Sequence, residues 1–125
     1  MRSAEHRRLA QQTGLAAELH VAELLQAEGW RVLEHSWRCP AGEIDLIVVR
    51  AGALRFVEVK ARAVDAVGGL EAVGPAKQRR IARAAQMYLD DYRGPLEEAA
   101  FMVATVEIHD GHWRVEFLDD AFDAE

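Results

Sequence analysis

Three runs with strand-like composition, Arg31–Arg38, Glu43–Val49 and Leu54–Lys60, follow one another with only four residues between them, Cys39-Pro40-Ala41-Gly42 and Arg50-Ala51-Gly52-Ala53. Connections that short cannot carry the chain back across a sheet, so the runs must pair antiparallel, as a meander. Glycine and proline in both connections supply the turns. Whatever else the chain does, it is built around this three-stranded unit.

Helical patterns flank the meander. Residues from about 4 to 28 are rich in Ala, Leu, Glu and Gln and stop at Gly29, which predicts one helix. Its apolar stripe reads as Leu15, Ala22 and Leu25, flanked by Leu19 and Val21. After a loop with Gly68, Gly69 and Gly74, Pro75 opens a second helix in which Ile81, Ala85, Tyr88 and Tyr92 repeat at helical spacing until Gly94-Pro95. Two further strands, Phe101–Ile108 and Trp113–Leu118, flank Asp110-Gly111, a hairpin signal. The second helix is long enough to cross from the third strand to a parallel fourth. The order α-β-β-β-α-β-β therefore predicts an α/β sandwich with a mixed sheet.

The chain of 125 residues is half apolar, enough for a single core without metal or disulfide staples. We expect one domain over residues 1–118 and an acidic C-terminal tail over 119–125. The lone Cys39 excludes an internal disulfide and a thiolate zinc cage, and the five histidines show no metal-ligand spacing. No apolar run is long enough for a membrane helix, and the N-terminus is polar, which predicts a cytoplasmic protein with no membrane partner. The net charge of −6 is unevenly spread: residues 1–94 carry fourteen Lys/Arg against twelve Asp/Glu, residues 95–125 one Arg against nine acids. The acidic excess sits at one end, so a basic face is still available for nucleic acid.

Along a strand alternate side chains share a face, which puts Glu58 and Lys60 on one side, about 6.5 Å apart. The connection Arg50 to Ala53 sets Val49 opposite Leu54, and the same register places Asp45 opposite Glu58 and Glu43 opposite Lys60. Two carboxylates directly opposed in an apolar strand pair destabilise it unless something neutralises them. A hard divalent cation such as Mg²⁺ does so, held by one or two carboxylates with its other positions open to water and phosphate. Lys60 then supplies positive charge where negative charge develops. A salt-bridge cluster, Glu43 with Lys60 and Asp45 with Arg62 or Arg38, also fits the alternation. Glu18 favours the site: it sits inside the first helix's apolar stripe, where a carboxylate needs a polar partner.

At these residues the sequence resembles the YraN-like family of bacterial proteins, itself similar to archaeal Holliday junction resolvases and the P-D-x-E-x-K nucleases. The resemblance runs from about Gly14 to Val106. It includes Gly14-Leu15-Ala16-Ala17-Glu18, Trp37-Arg38-Cys39, Gly42-Glu43-Ile44-Asp45-Leu46-Ile47, Phe56-Val57-Glu58-Val59-Lys60-Ala61-Arg62 and Lys77-Gln78-Arg79-Arg80. It implies a restriction-endonuclease-like αβββαβ core in which Asp45, Glu58 and the backbone carbonyl of Val59 bind Mg²⁺ or Mn²⁺. Glu18 is then an outer ligand or water-orienting group, Glu43 a further candidate ligand, and Lys60 the charge stabiliser. The implied activity is DNA endonuclease, on branched, single-stranded or duplex substrates; the alternative is an inactive nuclease fold that binds nucleic acid or a protein. Resemblance to resolvases also implies a homodimer. Two departures stand out: Ala100-Phe101-Met102-Val103 replaces the family's usual Arg-Phe-Asp-Val, and Ser36 replaces an Asn common before the tryptophan. Loss of that Arg and Asp removes a support for the site or a DNA contact.

Lys77 near a helix N-terminus, with Arg79 and Arg83 on the face away from Ile81, forms a candidate phosphate-contacting surface together with Arg62. A plain solvated helix face has the same pattern. Trp30, Trp37 and Trp113 read as packing aromatics.

Overall fold

A computed structural model describes residues 4–63 and 74–121, with side chains over 14–61 and 74–121. The elements run α1 (Ala4–Ala27), β1 (Arg31–Cys39), β2 (Gly42–Arg50), β3 (Ala53–Ala63), α2 (Pro75–Asp91), β4 (Glu98–His109) and β5 (His112–Asp119). This is the order read from the sequence. The five strands form one sheet in the order β1-β2-β3-β4-β5, antiparallel except where β4 lies parallel to β3. The chain is thus an α/β sandwich of αβββαβ type, with one helix on each face of a mixed sheet. The Gly68–Gly69 loop falls outside the described residues, as do Asp123 and Glu125 of the expected tail.

Each face of the sheet closes under one helix because each strand alternates between two apolar sets. Ala17, Val21, Ala22 and Leu25 of α1 pack with Trp30 on Leu46, Val48, Val57, Met102, Ala104 and Val106. Ile81, Ala84 and Ala85 of α2 pack on Ile44, Ile47, Val49, Leu54, Phe56, Phe101 and Val103. The stripe of α1 corrects the reading from sequence. At 100° per residue the buried arc runs through Ala17, Val21, Leu25 and Ala22, and Leu15 and Leu19 lie past its edge, 57% and 50% exposed. Glu18 falls within that arc, between Leu25 and Ala22. All three tryptophans pack in or against the two cores, as does Cys39. Met102 fills the core beneath α1.

Arg55 is the one buried cation among the described residues. It projects into the α1 side of the sheet, at the end near Trp30, and is held by Asp119 (2.6 Å from Nε) and Glu98 (2.6 Å from Nη2). Its guanidinium carbon lies 5.7 Å from the Trp30 ring centroid. Asp119, assigned from sequence to a solvated tail, is instead the last residue of β5 and ties that edge strand to the sheet's centre. The Ala121 amide extends the tie by donating to the Phe101 carbonyl at 2.9 Å.

The two sides of this network are not equivalent. Its carboxylates are half-exposed and can hydrate alone, whereas Arg55 cannot. Glu98→Ala with Asp119→Ala strands a buried guanidinium and should cost about 3–5 kcal/mol, while Arg55→Met, which removes the buried charge, should cost well under half of that. Urea denaturation of both proteins checks the order; a more damaging Arg55→Met would refute it.

Candidate active site at the fork between β2 and β3

The sequence-derived register holds: Val49 pairs with Leu54 and Leu46 with Val57. The pairing stops there, one step short of Asp45 and Glu58. Beyond Leu46 the strands separate, because the Val59 amide donates to the Asp45 carboxylate, Oδ2, at 2.8 Å. A side chain has taken the place of a ladder partner.

The alternation of β2 breaks at the same residue. Ile44 and Ile47 both face α2 while Leu46 and Val48 face α1, so Asp45 is the residue at which the strand slips phase. Its neighbour on β1 shows the matching distortion. Between the pairs His35↔Leu46 and Trp37↔Ile44 lies Ser36, with φ of 47°, in the left-handed region. For a residue other than Gly, Asn or Asp this is a costly conformation. The Ser36 side chain opposes part of the rise in the Glu18 carboxyl's pKa. An asparagine would suit that backbone better than Ser36 does.

Asp45 therefore sits where both faces can reach it. From α1, Glu18 approaches Asp45 closely enough that each carboxyl alters the other's ionisation. From the α2 side come Glu58, whose side chain is 7% exposed, and Lys77, whose Nζ lies 3.2 Å from Glu58 Oε2. The other oxygen, Oε1, is buried and has no hydrogen-bond partner among the described residues. Gly42, Glu43, Asp45, Glu58, Lys77, Arg80 and Ile81 line a cavity of about 200 Å³.

All three carboxyls are hard to ionise. Burial, then the Asp45 charge, pushes Glu18 up to about 7. Burial and the Asp45 charge likewise push Glu58 up to about 7, against the opposing pull of Lys77. Asp45 is raised by burial, with the Val59 amide and Lys77 opposing. Negative charge exceeds what the protein neutralises.

Several sequence-derived placements change. Glu43 does not face Lys60; it pairs with Arg38 at 3.4 Å on the exposed side of the β1–β2 hairpin. The geometric reason is the fork, which ends the ladder before the two residues could meet. Lys60 lies two residues beyond Glu58 in β3, partly exposed, next to the cavity's lining in sequence but not part of it. Arg79 and Arg83 are exposed on α2, and the side chain of Arg62 lies outside the described residues. Sequence reasoning gave Lys77 only a phosphate-contacting role and missed its ion pair with Glu58. One signal was available: Lys77 stands in the first turn of α2, where the helix dipole disfavours a cation and no acid offsets it.

Two helices on a mixed five-stranded sheet, with carboxylates gathered at the fork of its central hairpin, define an α/β sandwich of αβββαβ type. Residues 17–117 match the model of the family described as Uncharacterised protein family UPF0102, and the chain belongs to that family. It is similar to a UPF0102 protein of Synechococcus sp. strain JA-3-3Ab, 42% identical over 121 residues, covering 90% of this chain and 92% of the relative. A UPF0102 protein of Syntrophus aciditrophicus is 39% identical over 89% of this chain and 88% of its own. One from Symbiobacterium thermophilum is 41% identical over 93% of this chain and its entire length. No helix among the described residues is long and apolar enough to cross a membrane.

The raised carboxyls give a pH dependence opposite to that of salt-bridged acids. Between about 4.5, the ordinary Glu value, and about 7, the folded chain holds protons that the unfolded chain has released. Their contribution to stability is therefore full at the acid end and declines as pH rises through that window. In EDTA, Asp45→Asn should flatten the decline and melt at or above wild type at pH 8, since the introduced carboxamide oxygen still accepts from the Val59 amide. Melting curves of both proteins from pH 5 to 8 test this; a variant that melts below wild type at pH 8 sinks the strained-acid account.

Proposed function

We propose that this chain is a divalent-metal-dependent endonuclease that hydrolyses phosphodiester bonds in DNA. The observation that carries the reading is the unpartnered Oε1 of Glu58, a buried oxygen of a residue that lines, with Asp45, a cavity of about 200 Å³. A buried anionic oxygen without a donor is costly, and a cation ligated by oxygen removes that cost.

The residues suit Mg²⁺ or Mn²⁺. Among the described residues no group of three or more His, Cys, Asp or Glu is placed to hold a metal ion, so the ion would rest on two carboxylates and a main-chain oxygen. A hard cation held by two carboxylates does not need such a group. Asp45, Glu58 and the Val59 carbonyl would hold the ion, with Glu18 outside them and Glu43 at the cavity's rim. When bound, such a cation supplies Lewis acidity toward a phosphoryl oxygen and acidifies water.

The chain's own groups supply the rest. Glu18, poised near neutral pH, is suited to take a proton from the attacking water. Lys60, on the same face of β3 as Glu58, stabilises the charge developing on the phosphate. Lys77 and Arg80 border the cavity and present cations to the entering strand, and exposed Arg79 and Arg83 extend that surface along α2. One observation favours the second reading, binding without cleavage: Lys77 already forms an ion pair with Glu58, as a protein that never loads metal would require.

The two readings part in a cleavage assay on branched, single-stranded and duplex DNA with Mg²⁺ or Mn²⁺. We expect cleavage by wild type and a loss of about 10²–10³ in rate for Lys60→Ala, with a loss at least as large for Glu58→Ala. Near wild-type activity in both purified variants removes the chemistry from this fork, and DNA binding with no cleavage of any substrate selects the second reading. In the same preparations, Arg79→Ala with Arg83→Ala should flatten the salt dependence of DNA binding by about one to two units of log–log slope. An unchanged slope returns those arginines to solvent.

A further inference from the structure

The metal reading leaves a residue in the wrong place. Lys77 Nζ already contacts Glu58 Oε2 at 3.2 Å, and both side chains line the cavity with Asp45. Glu58 has a second oxygen for a cation, but an ammonium on Oε2 and a divalent cation on Oε1 would lie a few ångströms apart in a partly desolvated cleft, where like charges repel strongly. Resting on the metal-site reading above, we propose that Lys77 is the site's resident counter-ion, displaced from Glu58 when a divalent cation enters, so that it sets the affinity for that cation.

Local structure supports the role. Lys77 is the third residue of α2 after its N-cap, Gly74, which makes no side-chain cap bond, and the first turn holds no acid. The helix dipole therefore opposes a cation here. Glu58 holds the lysine in place, across from the helix. Displacement needs no rearrangement of the fold: α2 is anchored by Ile81, Ala84 and Ala85, while the Lys77 side chain is 42% exposed and can turn its ammonium into water on a flexible stem. Arg80, which also lines the cavity, remains as a second cation.

The test uses the full chain and Mn²⁺ alone, titrated calorimetrically at fixed pH into wild type, Lys77→Met and Lys77→Arg. Methionine keeps the stem and removes the competitor. It should bind Mn²⁺ on the order of tenfold more tightly, the scale of a charge-assisted hydrogen bond no longer lost on binding. Metal-free, it should melt below wild type, and saturating Mn²⁺ should close the gap. Arginine keeps the charge and should bind Mn²⁺ no more tightly than wild type, a result that stands even if the methionine variant does not fold. Equal affinity in wild type and Lys77→Met, or a gain in Lys77→Arg as large as the methionine gain, overturns the proposal while leaving the metal site intact. Absence of Mn²⁺ binding in all three proteins at millimolar metal overturns the metal site itself, and this inference with it.

Discussion

The bond from the Val59 amide to Asp45 Oδ2 decides what the middle of this sheet can be. A strand pair normally satisfies its amides by main-chain ladders, and a central pair that abandons its ladder leaves buried donors behind. Here a carboxylate receives the donor, and the two strands are free to diverge with no orphaned amide at that point. The divergence makes room for Glu58 and Lys77 on one side and brings Glu18 within reach on the other. With an alanine in place of Asp45 the strands would either zip closed or bury an unsatisfied amide.

Because Asp45 sits between the two faces, the chain's two cores are electrostatically connected through it. The α1 side brings up Glu18, whose ionisation the Asp45 charge opposes, and the α2 side brings an ammonium that offsets part of the same negative charge. The opposite end of the sheet is arranged the other way round: Arg55, a buried cation, is answered by half-exposed acids at the ends of β4 and β5. Compensation there is complete, which suits a structural tie. At the fork it is incomplete, which suits a site that waits for another partner.

What could be read from the sequence follows the range of the forces involved. Element order, the β2–β3 register and the inward placement of Glu18 depend on periodicity and on two four-residue turns, which are local and rigid. The misplacements within the meander share one cause. Pairing Glu43 with Lys60 requires the ladder to continue past Leu46, and no local pattern announces that Asp45 will take the Val59 amide instead. The phase slip of β2 and the left-handed Ser36 arise from the same event. Lys77 reaches Glu58 from a separate element nineteen residues on, and Asp119 reaches Arg55 across 64 residues; such pairs form only when tertiary packing brings them together. Leu15 and Leu19 fall outside the buried arc because a helix of good formers admits more than one apolar stripe until a sheet selects the one it covers.

The parallel pairing of β3 with β4 has a consequence for the order of assembly. Every residue of the fork, from Glu18 to Arg80, is synthesised before Glu98, the first residue of β4. Until β4 emerges from the ribosome β3 is an open edge, exposing the unpaired backbone beside Leu54, Phe56 and Val57, in a chain whose α1 and meander can already have formed. The nascent chain must shield that edge or close it quickly, so the emergence of α2 and β4, with only Tyr92 to Glu97 between them, is where synthesis speed and chaperone access bear on whether this protein reaches its fold or joins another copy's open strand.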